Sequence, residues 1–410
     1  MNMKFLTKAE IQSFLSQQNY DIRVSHNARW IDQKCTADVV TIVADCIANF
    51  IATNGNEFFS SVDIWHDKYT TDNVESIFKK PNPDEKKARN EYDKFFQQPM
   101  ELLAYAGVLF KVKKGNRNFY NVANLEMLEF IAIGDRKALM FLQCYIQKVL
   151  EDSGIWQEFD SFFNAPNKTA FETVKEEFED FTIANTPING RTECRRIFTK
   201  VINPLAYMRG TVGTEKGRIS EHKITYDMLM YNRDNFRDIY ANKPKEITRS
   251  EYLKTNGITV NANLTKYMSA KAKRIVRTYN DQFRNGITEV VIDANHLADL
   301  ATNIHHIFPE ADYPEISAFI ENLIALTPTQ HFNYAHPDGN TQRINRDYQH
   351  ICLLAKTDTI RDDYEKHSEP TYDFSKFLYV CYIGLETETF RDIEFGDYDG
   401  VVTAINLAYA

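Results

Sequence analysis

No two of the six cysteines (Cys35, Cys46, Cys144, Cys194, Cys352 and Cys381) stand at CxxC spacing. That scatter argues against a cysteine zinc ribbon or a disulfide framework and predicts buried free thiols. Long apolar runs are missing too, none approaching the roughly 18 residues that a membrane span needs. The opening "MNMKFLTKAEIQSFL" lacks the continuous apolar stretch and cleavage site of a signal peptide. A cytoplasmic protein with no membrane partner is therefore expected. Internal repeats and low-complexity linkers are not found. Histidine is scarce, at ten in 410 residues, yet four of the ten fall between Thr302 and Pro337.

What is present suits a globular protein: 43% hydrophobic and 13% aromatic residues over a length that suggests two to four units. The net charge of −9 speaks against a generic polyanion binder, but it is unevenly spread. Residues 187–290 hold 20 Lys+Arg against 10 Asp+Glu, whereas residues 358–410 hold 4 against 12. Affinity for nucleic acid follows the local basic surface rather than the total.

The expected fold class is α+β, multi-domain and mostly helical. Residues 38–51 show helical periodicity, and "SSVDIW" and "TDNVESIFKK" read as short helices, the second capped by Thr71 or Asp72. A longer helix follows from about Ala88 to Tyr105. "GVLFKVKKGNRNFYNVAN" then reads as two strands joined at Lys114-Gly115-Asn116, and a helix around 126–150 closes the unit. Three helices and a basic hairpin are the element order of a winged helix, so residues 1–150 are expected to form a winged-helix-like DNA-recognition domain. On that reading helix 70–79 or 88–105 enters the major groove. Lys111, Lys113, Lys114 and Arg117 contact phosphate or the minor groove.

Residues 151–285 read as a helical, basic connecting region, and its acidic "ETVKEEFEDF" as a solvated helix face. Arg191, Arg195 and Arg196 open one helix of that region. Lys266, Lys273, Arg277 and Arg284 form a stripe along another, suited to phosphate contacts or to a solvated face. Residues 286–357 carry the histidines, and the acidic segment 358–410 is expected to pack on them. Within "TNIHHIFPEADYPEISAFIENLIALTPTQHFNYAHP" two β-prone runs precede a helix start with Thr327 as cap and Pro328 at its first position. Strand alternation would put His305 and His306 on opposite faces unless the strand ends there.

These residues resemble the HNH, or ββα-metal, nuclease motif. The match rests on the His-His-Ile-x-Pro element from His305 to Pro309, Asn322 in "ENLIAL", and His331 nine residues later. The resemblance implies that His305 and His331 bind metal, that His306 is the general base and that Asn322 braces the loop. His336 would be a further ligand, although it follows His331 by five residues where the colicin-type members use four. The chemistry is coherent on its own terms. A neutral imidazole can deprotonate water near neutral pH, and a divalent ion can offset the charge on phosphate. Mg²⁺ is the implied ion, with Mn²⁺ or Ni²⁺ as substitutes and no structural zinc expected. A structural zinc site built from His305, His331 and His336 is the competing explanation.

The layout as a whole is similar to bacterial type II restriction endonucleases of the HNH class. That resemblance implies a sequence-specific endonuclease acting on double-stranded DNA, cutting within its site or at an offset. It further implies a homodimer on DNA and a cognate DNA methyltransferase in the host that is not a stable subunit. The alternatives are a less specific HNH effector of a phage-defence or mobile-element system, and a winged-helix regulator without catalysis. Rival signatures are weak: Glu221-x-Lys223 ends a PD-(D/E)xK pattern with no suitable Asp before it. "CYIG" at 381–384 is half of a GIY-YIG pattern.

Overall fold

The computed structural model describes residues 4–78, 80, 82–86, 88–231, 255, 262–291, 299–336 and 344–410. The chain is mostly helical with small two-stranded sheets, and it divides into two compact units, Leu6–Asn235 and Met1–Phe5 with Phe236–Ala410. This division cuts across boundaries drawn at 150 and 285. The helix Ala262–Phe283 joins the histidine segment, and the helices before and after residue 150 share one unit.

The Leu6–Asn235 unit begins with α1 (Lys8–Leu15), α2 (Ile22–Ser25), α3 (Ala37–Asn54), α4 (Ser61–Trp65), α5 (Lys68–Phe78) and α6 (Arg89–Tyr105). Every residue of α3 from Ala37 to Ala48 is buried, because its apolar side chains cover most of the helix circumference. With a mean hydropathy of 1.3 over 18 residues it is long and apolar enough to cross a membrane, yet 67% of it is buried within the unit. Its Asp45 accepts the Tyr69 hydroxyl at 2.7 Å. The strands β1 (Leu109–Lys114) and β2 (Arg117–Val122) pair antiparallel, with Lys114 opposite Arg117. Gly115, at φ +60°, takes the first turn position, which an L side chain resists. Phe59 adds one further antiparallel bridge, to Tyr120.

Where one helix was expected over 126–150 there are two, α7 (Leu125–Ile133) and α8 (Asp135–Asp152), separated by Gly134. Asn124 starts the first by accepting from Met127 N. Next come α9 (Trp156–Asn164), α10 (Lys168–Asn185) and α11 (Arg191–Met208). Within the region read as helical, the glycine-punctuated stretch after α11 is a hairpin, β3 (Val212–Glu215) with β4 (Arg218–Lys223). Lys216 and Gly217 both have positive φ, as the two-residue turn with matching twist requires. In "TYDMLMYNRDNFRDIY", also within the region read as helical, the described residues hold a 3₁₀ turn at Asp227–Leu229, and residues 232–240 lie outside the described residues.

The second unit holds α12 (Ala262–Phe283), β5 (Asn303–His306), β6 (Leu323–Leu326), α13 (Arg346–Lys366), α14 (Phe374–Leu385) and α15 (Tyr398–Tyr409). β5 and β6 pair antiparallel with His305 opposite Ile324 and His306 opposite Leu323. All four residues of β6 are buried. α13 supports this small sheet from below: Gln349 Nε2 donates to Ile307 O at 2.7 Å, and the fully buried Lys356 pairs with Glu289 at 2.7 Å. Glu289 in turn exchanges two hydrogen bonds with Ala325 of β6. α14 passes so close that a side chain at Gly384 would run into the Phe308 ring. "CYIG" lies inside this helix, a setting unlike a GIY-YIG strand. The acidic C-terminal stretch shares this unit, with Asp373 N bound to the buried Glu321 carboxylate.

Candidate metal centre

Alternation along β5 sends its two terminal histidines to opposite faces, and the strand includes both. His305 is buried and meets His331 and His336, with ring centroids 5.2 and 4.9 Å away; the latter two are 4.9 Å apart. One ring nitrogen from each lies within 4.8 Å of the others, a spacing that one ion can bridge. His331, half-buried, forms the open side.

The step of five from His331 to His336 is accommodated by the local winding. In an α-helix, residues five apart point about 140° away from each other. Residues Gln330–Ala335 are instead π-helical, and i→i+5 bonding sets residues five apart nearly one above another. His336 follows with extended backbone. The turn is anchored where the sequence placed its cap: Thr327 Oγ1 accepts from Gln330 N, and Gln330 Oε1 accepts from Thr327 N. The Gln330 side chain also donates to Val290 O at 2.8 Å, which fixes the turn to the strand-like segment beside β6.

Burial, followed by the neighbouring His336, His331, His306 and Lys273, pushes the His305 imidazole down to about 2. Burial, His336 and Lys273 lower His331 as well. Both rings are therefore neutral near neutral pH, the form in which a ring nitrogen offers a lone pair to a metal.

His306 has a different set of neighbours. Its Nε2 lies 3.1 Å from Ser317 O, 3.4 Å from Ser269 Oγ of α12 and 3.9 Å from a Glu310 carboxylate oxygen. A carbonyl can only accept, so Nε2 carries the proton and Nδ1 keeps the lone pair of the neutral ring. Burial and Lys273 lower its pKa against the opposing pull of Ser317 O and Glu310. Asn322 is wholly buried below this loop. Its Oδ1 accepts from Phe308 N at 2.9 Å, and its Nδ2 donates to Phe308 O and Ile316 O at 3.0 and 3.3 Å. Both ends of the loop between the strands are thereby held by one side chain.

The cations of the basic stripe separate into different environments. The charge of Lys273 lowers the pKa of His305, His306 and His331. Arg277 donates to Thr302 O at 2.7 Å and holds the entry to β5, while Lys266 is exposed. In the other unit, Arg191 and Arg195 both bind the buried Glu179 at 2.8 Å, and Arg196 lies 3.3 Å from Glu193. Lys111 pairs with Glu101 at 2.7 Å, whereas Lys113, Lys114 and Arg117 are exposed near the hairpin tip. Sequence reading did not single out Ser269, Glu310 or Ser317. Only Glu310 left a sequence signal, as a carboxylate four residues after the second histidine.

Compared with known proteins, the chain matches no family model, no curated protein and no solved structure.

Proposed function

We propose that this protein is a metal-dependent endonuclease of the HNH kind acting on double-stranded DNA, and more finely a type II restriction enzyme. The observation that carries the reading is the convergence of three imidazoles, His305, His331 and His336, beside a fourth, His306, at the next strand position, whose Nε2 faces Ser317 O. Water would pass a proton to His306 Nδ1 as its oxygen bonds to phosphorus, and the P–O bond to the leaving sugar oxygen would break. Lys273 would sit beside the phosphate oxygens, and Asn322 would keep the loop in register.

The donor set fits a divalent ion. A metal held by His305, His331 and His336 would neutralise charge on the phosphate and the leaving oxygen. Three imidazole nitrogens suit Mn²⁺, Ni²⁺ or Zn²⁺ better than Mg²⁺, which prefers oxygen ligands. A structural zinc site would close with a fourth protein ligand; among the described residues the cluster offers three.

The test is digestion of long, fully sequenced DNA with each divalent ion and with chelator alone. Discrete fragments that require metal support a restriction enzyme acting in the cytoplasm beside a cognate methyltransferase. Metal-dependent smearing supports the less specific effector. No cutting with any ion removes the nuclease reading and leaves a DNA-binding regulator.

A further inference from the structure

A two-stranded wing open to water is expected to carry polar residues on its outer face. Here strand alternation and register put Phe110, Val112 and Lys114 of β1 together with Asn121, Phe119 and Arg117 of β2. The opposite face turns inward, where Glu101 binds Lys111, Asn118 and the Tyr120 hydroxyl. On the outer face Phe110 is 54% exposed and its neighbour Phe58 44%, and their rings meet edge-on at 6.3 Å. Lys114 Nζ stands 5.5 Å from the Phe58 ring and 5.6 Å from the Phe119 ring. Asn121 Oδ1 on the same face is buried with no hydrogen-bond partner. The two strands hold four cations and no carboxylate, in a chain whose net charge is −9.

We propose that this face is a base-stacking surface for nucleic acid. An unpaired base lies against the Phe58–Phe110 pair, and Lys114 and Arg117 reach its flanking phosphates. A wing that only tracked the backbone would need the cations and not the rings. Aromatic side chains stack on any base, while local positive charge selects a polyanion. The face thus takes a strand with at least one base out of the duplex. This inference rests on the reading that the protein handles nucleic acid, but not on the histidines, which belong to the other unit.

The full chain is titrated in chelator, so that no cleavage occurs, with single-stranded DNA or RNA carrying one 2-aminopurine and with the corresponding duplex. Phe110→Ala is expected to weaken single-strand binding about tenfold and to remove the fluorescence change. Duplex binding should stay within about twofold, and Phe110→Trp should restore the single-strand affinity. Equal losses on both substrates, or no loss on either, overturn the proposal. So does a change in sedimentation, which would make the face a contact with a second copy. Because no metal is present, failure of the nuclease reading leaves this result standing, and the reverse holds too.

Discussion

His306 and Asn322 act on the same loop by different means, and substitution separates them. His306→Ala removes the imidazole and its bond to Ser317 O while leaving the hydrogen bonds of Asn322 to Phe308 and Ile316 intact. Single-turnover cleavage should fall by about a hundredfold or more with DNA binding unchanged; a near wild-type rate would end its assignment as base. Asn322→Ala should instead lower stability, by about 3 kcal/mol, because Phe308 N and O and Ile316 O lose their partner inside the core. A melt within a degree of wild type would mean that water takes over the brace. Of this site, the histidines were legible because four of ten fell in one segment. Ser317 was not, since its contribution is a backbone carbonyl brought near by the fold, which any residue type could supply.

Two elements differ from their sequence reading in instructive ways. The five-residue step to His336 looked like a mismatch only under α-winding, and the π turn that absorbs it leaves no pattern in six residues of "QHFNYA". If that winding serves the metal, His336→Ala and His331→Ala should each weaken Zn²⁺ or Ni²⁺ binding by at least about tenfold in calorimetry. Loss for His331 alone would make the π turn a packing feature. α10 was read as a solvated acidic face, and most of its carboxylates are one. Glu179 is the exception, and its exposure of 1% could not be guessed from a run of similar acids. Burial would raise its carboxyl, but hydrogen bonds from Arg195 and Arg191 prevail and hold it below the ordinary value. A lowered folded pKa gives stability that is present above the unfolded value of about 4.3 and is lost as pH falls through the folded one. Melting temperature should therefore drop more steeply between pH 5 and pH 3 in the wild type than in Glu179→Gln, by differential scanning calorimetry; parallel profiles would discount the pair.

At the scale of the molecule, the histidine cluster and the cationic hairpin fall in different units. The histidines, Lys273 and Arg277 belong to the unit that includes Phe236–Ala410, and the hairpin cations and exposed rings to Leu6–Asn235. The basic excess over 187–290 spans both, which is why composition could flag binding but could not assign it to a unit. The helical majority and the β1–β2 hairpin follow from local signals. The two-unit division depends on long-range packing of helices such as α8 and α12, and periodicity carries no information about that. A ββα centre contacts the backbone that every sequence shares, so under the proposed function selection must come from contacts to base edges elsewhere in the chain. Separate units then predict cleavage displaced from the recognised bases. Sequencing every end from a complete digest should align the cuts at one fixed distance outside a shared short motif. Cuts inside a palindromic motif would instead require that both units of two copies converge on the same base pairs. In that case the enzyme is an obligate homodimer on DNA, and its rate at low concentration should rise with the square of its concentration.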